Sequence, residues 1–99
     1  MQYIVIAYDQ TDHEAFERRL AVREQHLKGV EENFKAGRQI YGGAILHDNG
    51  KMIGSMMVME YDSREELDKW LEVEPYVVEN VWCKIDVQPF KVAPLFTDN

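Results

Sequence analysis

The segment from Gln2 to Tyr8 is apolar at nearly every position, on both of the faces that an extended chain presents. Most of its residues are β-branched or aromatic, and polar residues begin at Asp9. Such a run is typical of a strand covered on both sides, because successive side chains of a strand point to opposite faces. A second run, Met52 to Tyr61, is also apolar on both faces. Any fold for this chain must therefore cover both sides of a sheet.

Helix signals follow the first strand. The segment from Asp12 to Ala36 contains no proline and is rich in helix formers, which predicts one long helix. Thr11 and Glu14 have the spacing of a capping box at its start, and Gly37 supplies a C-terminal stop. We expect this to be the longer of two helices.

A hairpin is predicted after the long helix. Two strand-like segments, Arg38 to Leu46 and Met52 to Tyr61, flank a polar turn from His47 to Lys51. The Asn49-Gly50 pair within it supplies the positive φ that a tight hairpin turn requires. These two strands should pair antiparallel.

The last third of the chain repeats the order of helix and strand. Ser63 and Glu66 form a second capping box, and Pro75 ends that helix and favours a further short turn over residues 76–80. Val81 to Phe90 is then the last strand. The order β-α-β-β-α-β predicts an α+β, ferredoxin-like fold, in which both helices pack on one face of a four-stranded antiparallel sheet.

Two helices on one face leave the other face of this sheet bare. Soluble monomers seldom expose an apolar patch larger than roughly a few hundred Å². We therefore predict a homodimer that pairs through the open sheet face, as in a dimeric α/β barrel. The alternative is that some outward apolar side chains remain exposed, as many do in monomers.

Composition narrows the class of protein further. The 99 residues fit one domain, and 18 Asp and Glu against 11 Lys and Arg disfavour nucleic acid as a partner. No apolar run approaches the roughly 20 residues that span a bilayer, so we expect no membrane partner, and the N-terminus is predicted to be a strand and not a signal peptide. Cys83 is the only cysteine, which favours a cytoplasmic protein.

One arginine of the long helix falls on its apolar side. When each residue of the helix is placed about 100° after the one before, apolar residues fall close to one line along it, which predicts a core stripe. That stripe comprises Phe16, Leu20, Leu27, Val30 and Phe34. Arg23 lies about 20° from the line, with Arg19 and His26 on one flank of it. Because a guanidinium keeps its charge, a buried Arg23 needs a protein carboxylate or a bound anion as its partner.

Simpler interpretations exist for each of these residues. Arg23 can extend over Leu27 to reach water or pair with Glu74 or another acid. His26 can be an ordinary helix histidine. His13, His26 and His47 lack paired metal-ligand spacing, so we predict no metal site. We also expect no cofactor.

Residues 17–27 resemble the first-helix signature of the YciI-like (YCII-related) family, in which an arginine-rich turn precedes a His-Leu pair. Further matching segments follow in order along almost the whole chain. They are Gly37-Arg38, Gly42-Gly43, Gly54-Ser55, Glu74-Pro75-Tyr76-Val77 and Val87 to Lys91. The chain is accordingly predicted to be a single YciI-like domain over residues 1–99, with residues 91–99 as a C-terminal extension.

The resemblance implies a ferredoxin-like subunit of a dimeric α/β barrel, with a pocket between helix and sheet and a His-Asp dyad. His26 matches the family histidine. The family commonly has Asp-Pro-Tyr or Asp-Pro-Phe where this chain has Glu74-Pro75-Tyr76, so Glu74 replaces the aspartate with one more methylene. A related enzyme removes chloride from a chlorinated hydroxyhydroquinone, and similar barrels include muconolactone isomerases.

These residues suggest proton transfer on a small anionic cyclic or aromatic metabolite, by a lyase, dehydrochlorinase or isomerase. In this hypothesis His26 is the general acid or base and Glu74 orients it. Substrate binding falls to Arg19, Arg23, Ser55 and Tyr76. Ser55 can instead be a small packing residue, and Tyr76 an ordinary core residue. The competing function is a noncatalytic dimeric module that binds a small anion or a partner protein.

Overall fold

The computed structural model describes residues 1–97 and has the predicted order of elements. The strands are β1 (Gln2–Asp9), β2 (Gln39–Leu46), β3 (Met52–Glu60) and β4 (Trp82–Phe90). The helices are α1 (Ala15–Lys35), α2 (Arg64–Val73) and the single-turn α3 (Pro75–Val78). Within this range no helix is both long and apolar enough to cross a membrane.

The four strands form one antiparallel sheet in the order β2-β3-β1-β4. Strands β1 and β3, which the sequence predicts to be apolar on both faces, are the two central strands. They pair with each other, and Val5 lies opposite Met57. This is the predicted α+β, ferredoxin-like fold, and the structure confirms it.

The core lies between the sheet and the helices. Alternate residues of β1, namely Tyr3, Val5 and Ala7, are buried on the helix side of the sheet. They share one cluster with the buried residues of the neighbouring elements, which are Met57, Met59, Leu67, Tyr76, Val81 and Trp82. Leu67 is the one buried residue of α2 and is fully inaccessible.

On the opposite face of the sheet, several apolar side chains remain partly accessible. Ile4 and Ile6 of β1 are only half-buried there. On the same face Tyr41, which pairs with Val58, is 68% exposed. The apolar second face that the sequence predicts is therefore present.

The buried face of α1 differs from the predicted one. Leu20, Leu27 and Phe34 of the predicted core stripe are 48%, 44% and 65% exposed, and Arg23 is exposed as well. The prediction that this stripe forms the core and that Arg23 points into it is wrong, although Phe16 and Val30 of the stripe are half-buried.

Helix α1 instead buries Ala15, Arg19 and His26, and Val22 packs against the core between them. These residues recur at spacings of three and four, as one helix face requires. Polar side chains occupy that face because each has a buried hydrogen-bonding partner across the core, which makes their burial tolerable. Hydropathy alone gives the wrong rotation because it does not register such partners.

The start of α1 also differs from the prediction. The helix begins at Ala15, and Glu14 occupies the N-cap with no side-chain hydrogen bond, so the predicted capping box at Thr11 does not form. Asp12 acts there instead: its carboxylate accepts hydrogen bonds from the Glu14 amide at 3.3 Å and from Arg18 at 2.8 Å. The carboxylate of Asp12 thus accepts the hydrogen bond that the prediction gave to the Thr11 hydroxyl.

The other predicted turns and caps are present. Gly37 follows the end of α1 with φ +77°, a left-handed conformation in which a residue with a Cβ is strained. Ser63 accepts a hydrogen bond from the Glu66 amide at 3.2 Å, as its capping box predicts. In the predicted extension, residues 94–96 form a 3-10 turn; its last two residues, 98–99, lie outside the described residues.

Substitution of Leu67 and of Leu20 tests the corrected helix face. Leu67→Ala should lower the free energy of unfolding by about 2–5 kcal/mol, because it empties a fully buried site. Leu20→Ala, on the exposed flank of α1, should change it by less than about 1 kcal/mol. Urea unfolding of both variants measures the difference. Equal losses would show that the flank with Leu20 is part of the core.

Candidate functional site

A histidine and a glutamate are in contact in the interior, 48 residues apart in the chain. Nδ1 of His26 lies 2.6 Å from Oε1 of Glu74, and the two side chains are 9% and 3% exposed. Since a carboxylate accepts, this hydrogen bond places a proton on Nδ1 and leaves Nε2 as the basic nitrogen of the neutral ring. The pair has the arrangement of an oriented general base.

The local sequence explains where the Glu74 carboxylate lies. Glu74 is extended (φ −64°, ψ 127°), the conformation that a following proline favours, and it is the N-cap of α3. Its Oε1 also accepts a hydrogen bond from the Tyr76 amide at 3.1 Å. Pro75 occupies the first helical position, where its missing N–H costs nothing. Glu-Pro-Tyr therefore presents a fixed carboxylate to His26.

Two aromatic rings pack against the imidazole of His26. The Tyr76 ring is stacked on His26 with centroids 4.0 Å apart and planes at 15°. Trp82 approaches His26 by its edge at 6.1 Å. Burial raises the pKa of the Tyr76 hydroxyl, although the nearby charge of Arg19 opposes the shift. Tyr76 therefore keeps its proton at neutral pH and can donate it in a hydrogen bond.

A second buried polar pair is formed by Arg19 and Asp9, with Arg19 about two helical turns before His26 on α1. Arg19 donates from Nη1 to both carboxylate oxygens of Asp9, at 2.8 and 3.1 Å. Its Nη2 donates to Oγ of Ser55 at 3.0 Å, and its guanidinium lies 4.8 Å from the Tyr76 ring centroid. Desolvation raises the pKa of Asp9 more than Arg19 lowers it. The ion pair with Asp9 offsets the charge of Arg19 inside the protein.

These groups border a small cavity between α1, β2 and β3. Its volume is about 150 Å³, less than the roughly 300–1,000 Å³ of sites for drug-sized ligands, so it fits a compact molecule. Of the residues predicted for the site, it brings together Arg19, Arg23, His26, Ser55 and Tyr76. Glu74 does not line it and lies behind His26. Arg23 is exposed at the cavity, and in residues 1–97 it has no ion-pair partner, so it does not pair with Glu74.

A larger cavity, of about 460 Å³, lies beside the β2–β3 turn and the start of α1. It contains none of the predicted site residues, so the smaller cavity is the candidate site. Over the part of the chain described here, no three His, Cys, Asp or Glu side chains are arranged to hold a metal ion.

Sequence reasoning missed two polar residues of the site. Asp9 is the partner of Arg19, and Gln39 lines the cavity from β2. The alternation of β1 contains a signal for the first, because Asp9 continues the buried series Tyr3, Val5 and Ala7. Gln39 has no comparable signal, since it is the first residue of its strand.

Comparison with known proteins identifies the family. A family model for the YCII-related domain matches residues 1–91. The chain belongs to the YCII-related family. Protein YciI of Escherichia coli O6:H1 is 32% identical to this YCII-related chain over 97 residues, which cover 92% of the chain and 97% of that protein. An uncharacterized protein of Haemophilus influenzae is 31% identical with the same coverage.

A solved structure shares the fold of this YCII-related chain. It is 5-chloro-2-hydroxyhydroquinone dehydrochlorinase from Burkholderia phenoliruptrix, in complex with 2,5-dihydroxybenzoquinone. The TM-score is 0.81 at 23% identity, and the match covers 96% of this chain and 98% of that one. At this identity the similarity concerns the fold.

The protonation of His26 can be measured directly. Long-range ¹H–¹⁵N NMR of the neutral ring should place the proton on Nδ1 in His26, because Glu74 accepts from that nitrogen. His47 is an internal control that should have the other tautomer. Its Nδ1 accepts a hydrogen bond from the Asn49 amide at 3.3 Å, so its proton should be on Nε2. Glu74→Leu should shift the His26 ring away from its Nδ1–H form. A proton on Nε2 of His26 in the wild type would contradict the assignment.

Proposed function

We propose that this YCII-related protein is an enzyme that moves a proton to or from a small anionic cyclic or aromatic molecule. The observation that carries the proposal is the buried hydrogen bond between His26 and Glu74, beside a cavity that His26 itself lines. A buried polar pair is often structural, but this one leaves Nε2 of His26 without a hydrogen-bond partner among residues 1–97 and borders space for a ligand.

In the proposed reaction Nε2 of His26 is the proton acceptor. The Glu74 carboxylate fixes the tautomer and stabilises the imidazolium that forms, as the acid partner of a catalytic histidine does. The stacked Tyr76 ring restricts the rotation of the imidazole, so that Nε2 keeps one direction. No oxidant or reductant is needed for chemistry of this class.

Three further side chains are suited to an anionic substrate. Arg23 is the cation available to it, because the charge of Arg19 is offset by Asp9. Ser55 accepts a hydrogen bond from Arg19, so its own hydroxyl hydrogen remains free to donate. The hydroxyl of Tyr76 has no partner within the described residues and is a second donor. Arg19 holds the Ser55 hydroxyl in place through its Nη2.

The reaction class follows from a base that works beside anion-binding donors. Removal of a proton from carbon or oxygen, with departure of chloride and its bonding electron pair, is a dehydrochlorination. Return of the proton to a different carbon is an isomerisation. The name of the structurally similar dehydrochlorinase supports dehydrochlorination. Both reactions need one oriented base.

We also propose that the functional unit is a homodimer formed through the open sheet face. The half-buried Ile4 and Ile6 and the exposed Tyr41 lie on that face, and a second copy would remove them from water with a favourable hydrophobic contribution. The net charge of −7 supports neither nucleic acid nor an anionic membrane surface as a partner. A cytoplasmic location stays a prediction.

Replacement of His26 tests the catalytic role. His26→Asn should lower turnover of a responsive substrate, found in a panel of chlorinated hydroxyaromatic acids, phenols and lactones, by about 10²–10⁴-fold. His13→Asn is the matched control, because His13 is exposed and outside the cavity, and should leave turnover unchanged. Unchanged turnover in folded His26→Asn protein would refute the role. Binding of panel members by the wild type without any turnover would favour the noncatalytic anion-binding module.

Sedimentation analysis tests the dimer. Tyr41→Lys places a charge at an exposed position of the open sheet face, where it should convert dimer to monomer with little effect on folding of the subunit. Phe34→Lys is the control on the exposed flank of α1, where Phe34 is 65% exposed, and it should leave the dimer intact. If Phe34→Lys dissociates the dimer and Tyr41→Lys does not, the interface involves α1 and not the open sheet face. A monomeric wild type would exclude the dimer.

A further inference from the structure

Gln39 is a buried polar residue whose side chain is only partly satisfied. The residue is 4% exposed and faces Met59 across the sheet. Its Nε2 donates a long hydrogen bond of 3.4 Å to the Tyr41 carbonyl, while its Oε1 is buried and has no partner in residues 1–97. Native proteins leave few such acceptors unpaired, because a buried oxygen has lost its hydrogen bonds to water. An apolar residue of similar size would carry no such cost.

The carboxamide of Gln39 lies close to the backbone of Gly42, which has no side chain. A Cβ at Gly42 would lie 2.7 Å from Nε2 of Gln39, and 3.3 Å from the Met56 carbonyl. The missing side chain at Gly42 therefore allows the Gln39 carboxamide to lie along the cavity wall. Both residues line the candidate site.

The hydrogen-bonding groups around the cavity differ in kind. Arg23, the Ser55 hydroxyl and the Tyr76 hydroxyl are donors that suit the oxygens of an anion. Oε1 of Gln39 can only accept, so the oxygens of a simple carboxylate leave it unpaired. A ligand that has both an anionic group and a neutral hydroxyl satisfies the two kinds of group at once.

We propose that Gln39 is a specificity residue, and that it selects anionic ligands that carry a hydroxyl group able to donate to its Oε1. This inference rests on the proposed function, because it assumes that the anion binds in the same cavity. Sites with a buried acceptor discriminate against ligands that lack the donor, since the acceptor is then left unpaired in the complex. The ligand class is a hydroxylated cyclic or aromatic acid.

Matched pairs of ligands test the inference. The probes are benzoate, the three hydroxybenzoates and the three corresponding methoxybenzoates, in which a methyl group replaces the donated hydrogen. Titration calorimetry should show the best hydroxybenzoate binding the wild type about 3- to 10-fold more tightly than its methoxy counterpart, the size expected for one hydrogen bond. Gln39→Leu should abolish this preference and keep the affinity for benzoate within about twofold.

Two control variants separate this inference from the anion site. Gln25→Leu, at an exposed position of α1, should keep the hydroxyl preference. Arg23→Gln should weaken all seven probes together. A wild type that binds benzoates without a hydroxyl preference, or a Gln39→Leu variant that retains the preference, would overturn the role of Gln39 and leave the anion site intact. If the wild type binds none of the probes, the anion site and this inference are both refuted.

Thermal unfolding supplies a readout that does not depend on ligand. Because Oε1 of Gln39 has no hydrogen-bond partner in the described part of the chain, Gln39→Leu should leave the melting temperature unchanged or raise it. A clearly lower melting temperature would show that the carboxamide has a structural role and would overturn the inference.

Discussion

Two buried polar contacts determine how α1 packs on the sheet. Arg19 requires Asp9 and His26 requires Glu74, because a buried charge or polar group without a partner is strongly destabilising. Both partners lie outside the helix, at the end of β1 and at the start of α3. The two contacts therefore fix the rotation of α1 about its axis, and the apolar flank with Leu20 and Phe34 turns to the surface as a result.

The candidate site depends on that rotation. With Arg19 and His26 turned inward, Arg23 reaches the cavity at its exposed side and remains a cation without a protein partner in the described range. Glu74 connects the site to the fold, because one carboxylate oxygen both caps α3 and accepts from His26. Stability and the proposed chemistry thus use the same hydrogen bonds, so variants of Glu74 are expected to affect both.

Local sequence signals predicted most of the fold. Strand alternation, Gly37, the Ser63 cap and Pro75 act within a few residues, so the element order, the sheet and the YCII-related family could all be predicted without coordinates. The start of α1 could not, because the Asp12 carboxylate accepts from the Glu14 amide and also from Arg18, a contact that the spacing of a capping box does not include. The helix stripe failed for a similar reason: hydropathy does not register partners elsewhere in the chain.

The sequence by itself identified six side chains of the candidate site, because they are recognisable in the family pattern: His26, Glu74, the two arginines, Ser55 and Tyr76. It did not identify Asp9 or Gln39. Tertiary structure alone decided their states. It brings His26 to Glu74 across 48 residues, offsets the charge of Arg19 with Asp9, and places Gln39 in the wall of the cavity. It also leaves Arg23 without an ion-pair partner in residues 1–97. The physical reason is that hydrogen bonding and burial depend on neighbours in space, and sequence spacing within one helix specifies none of them.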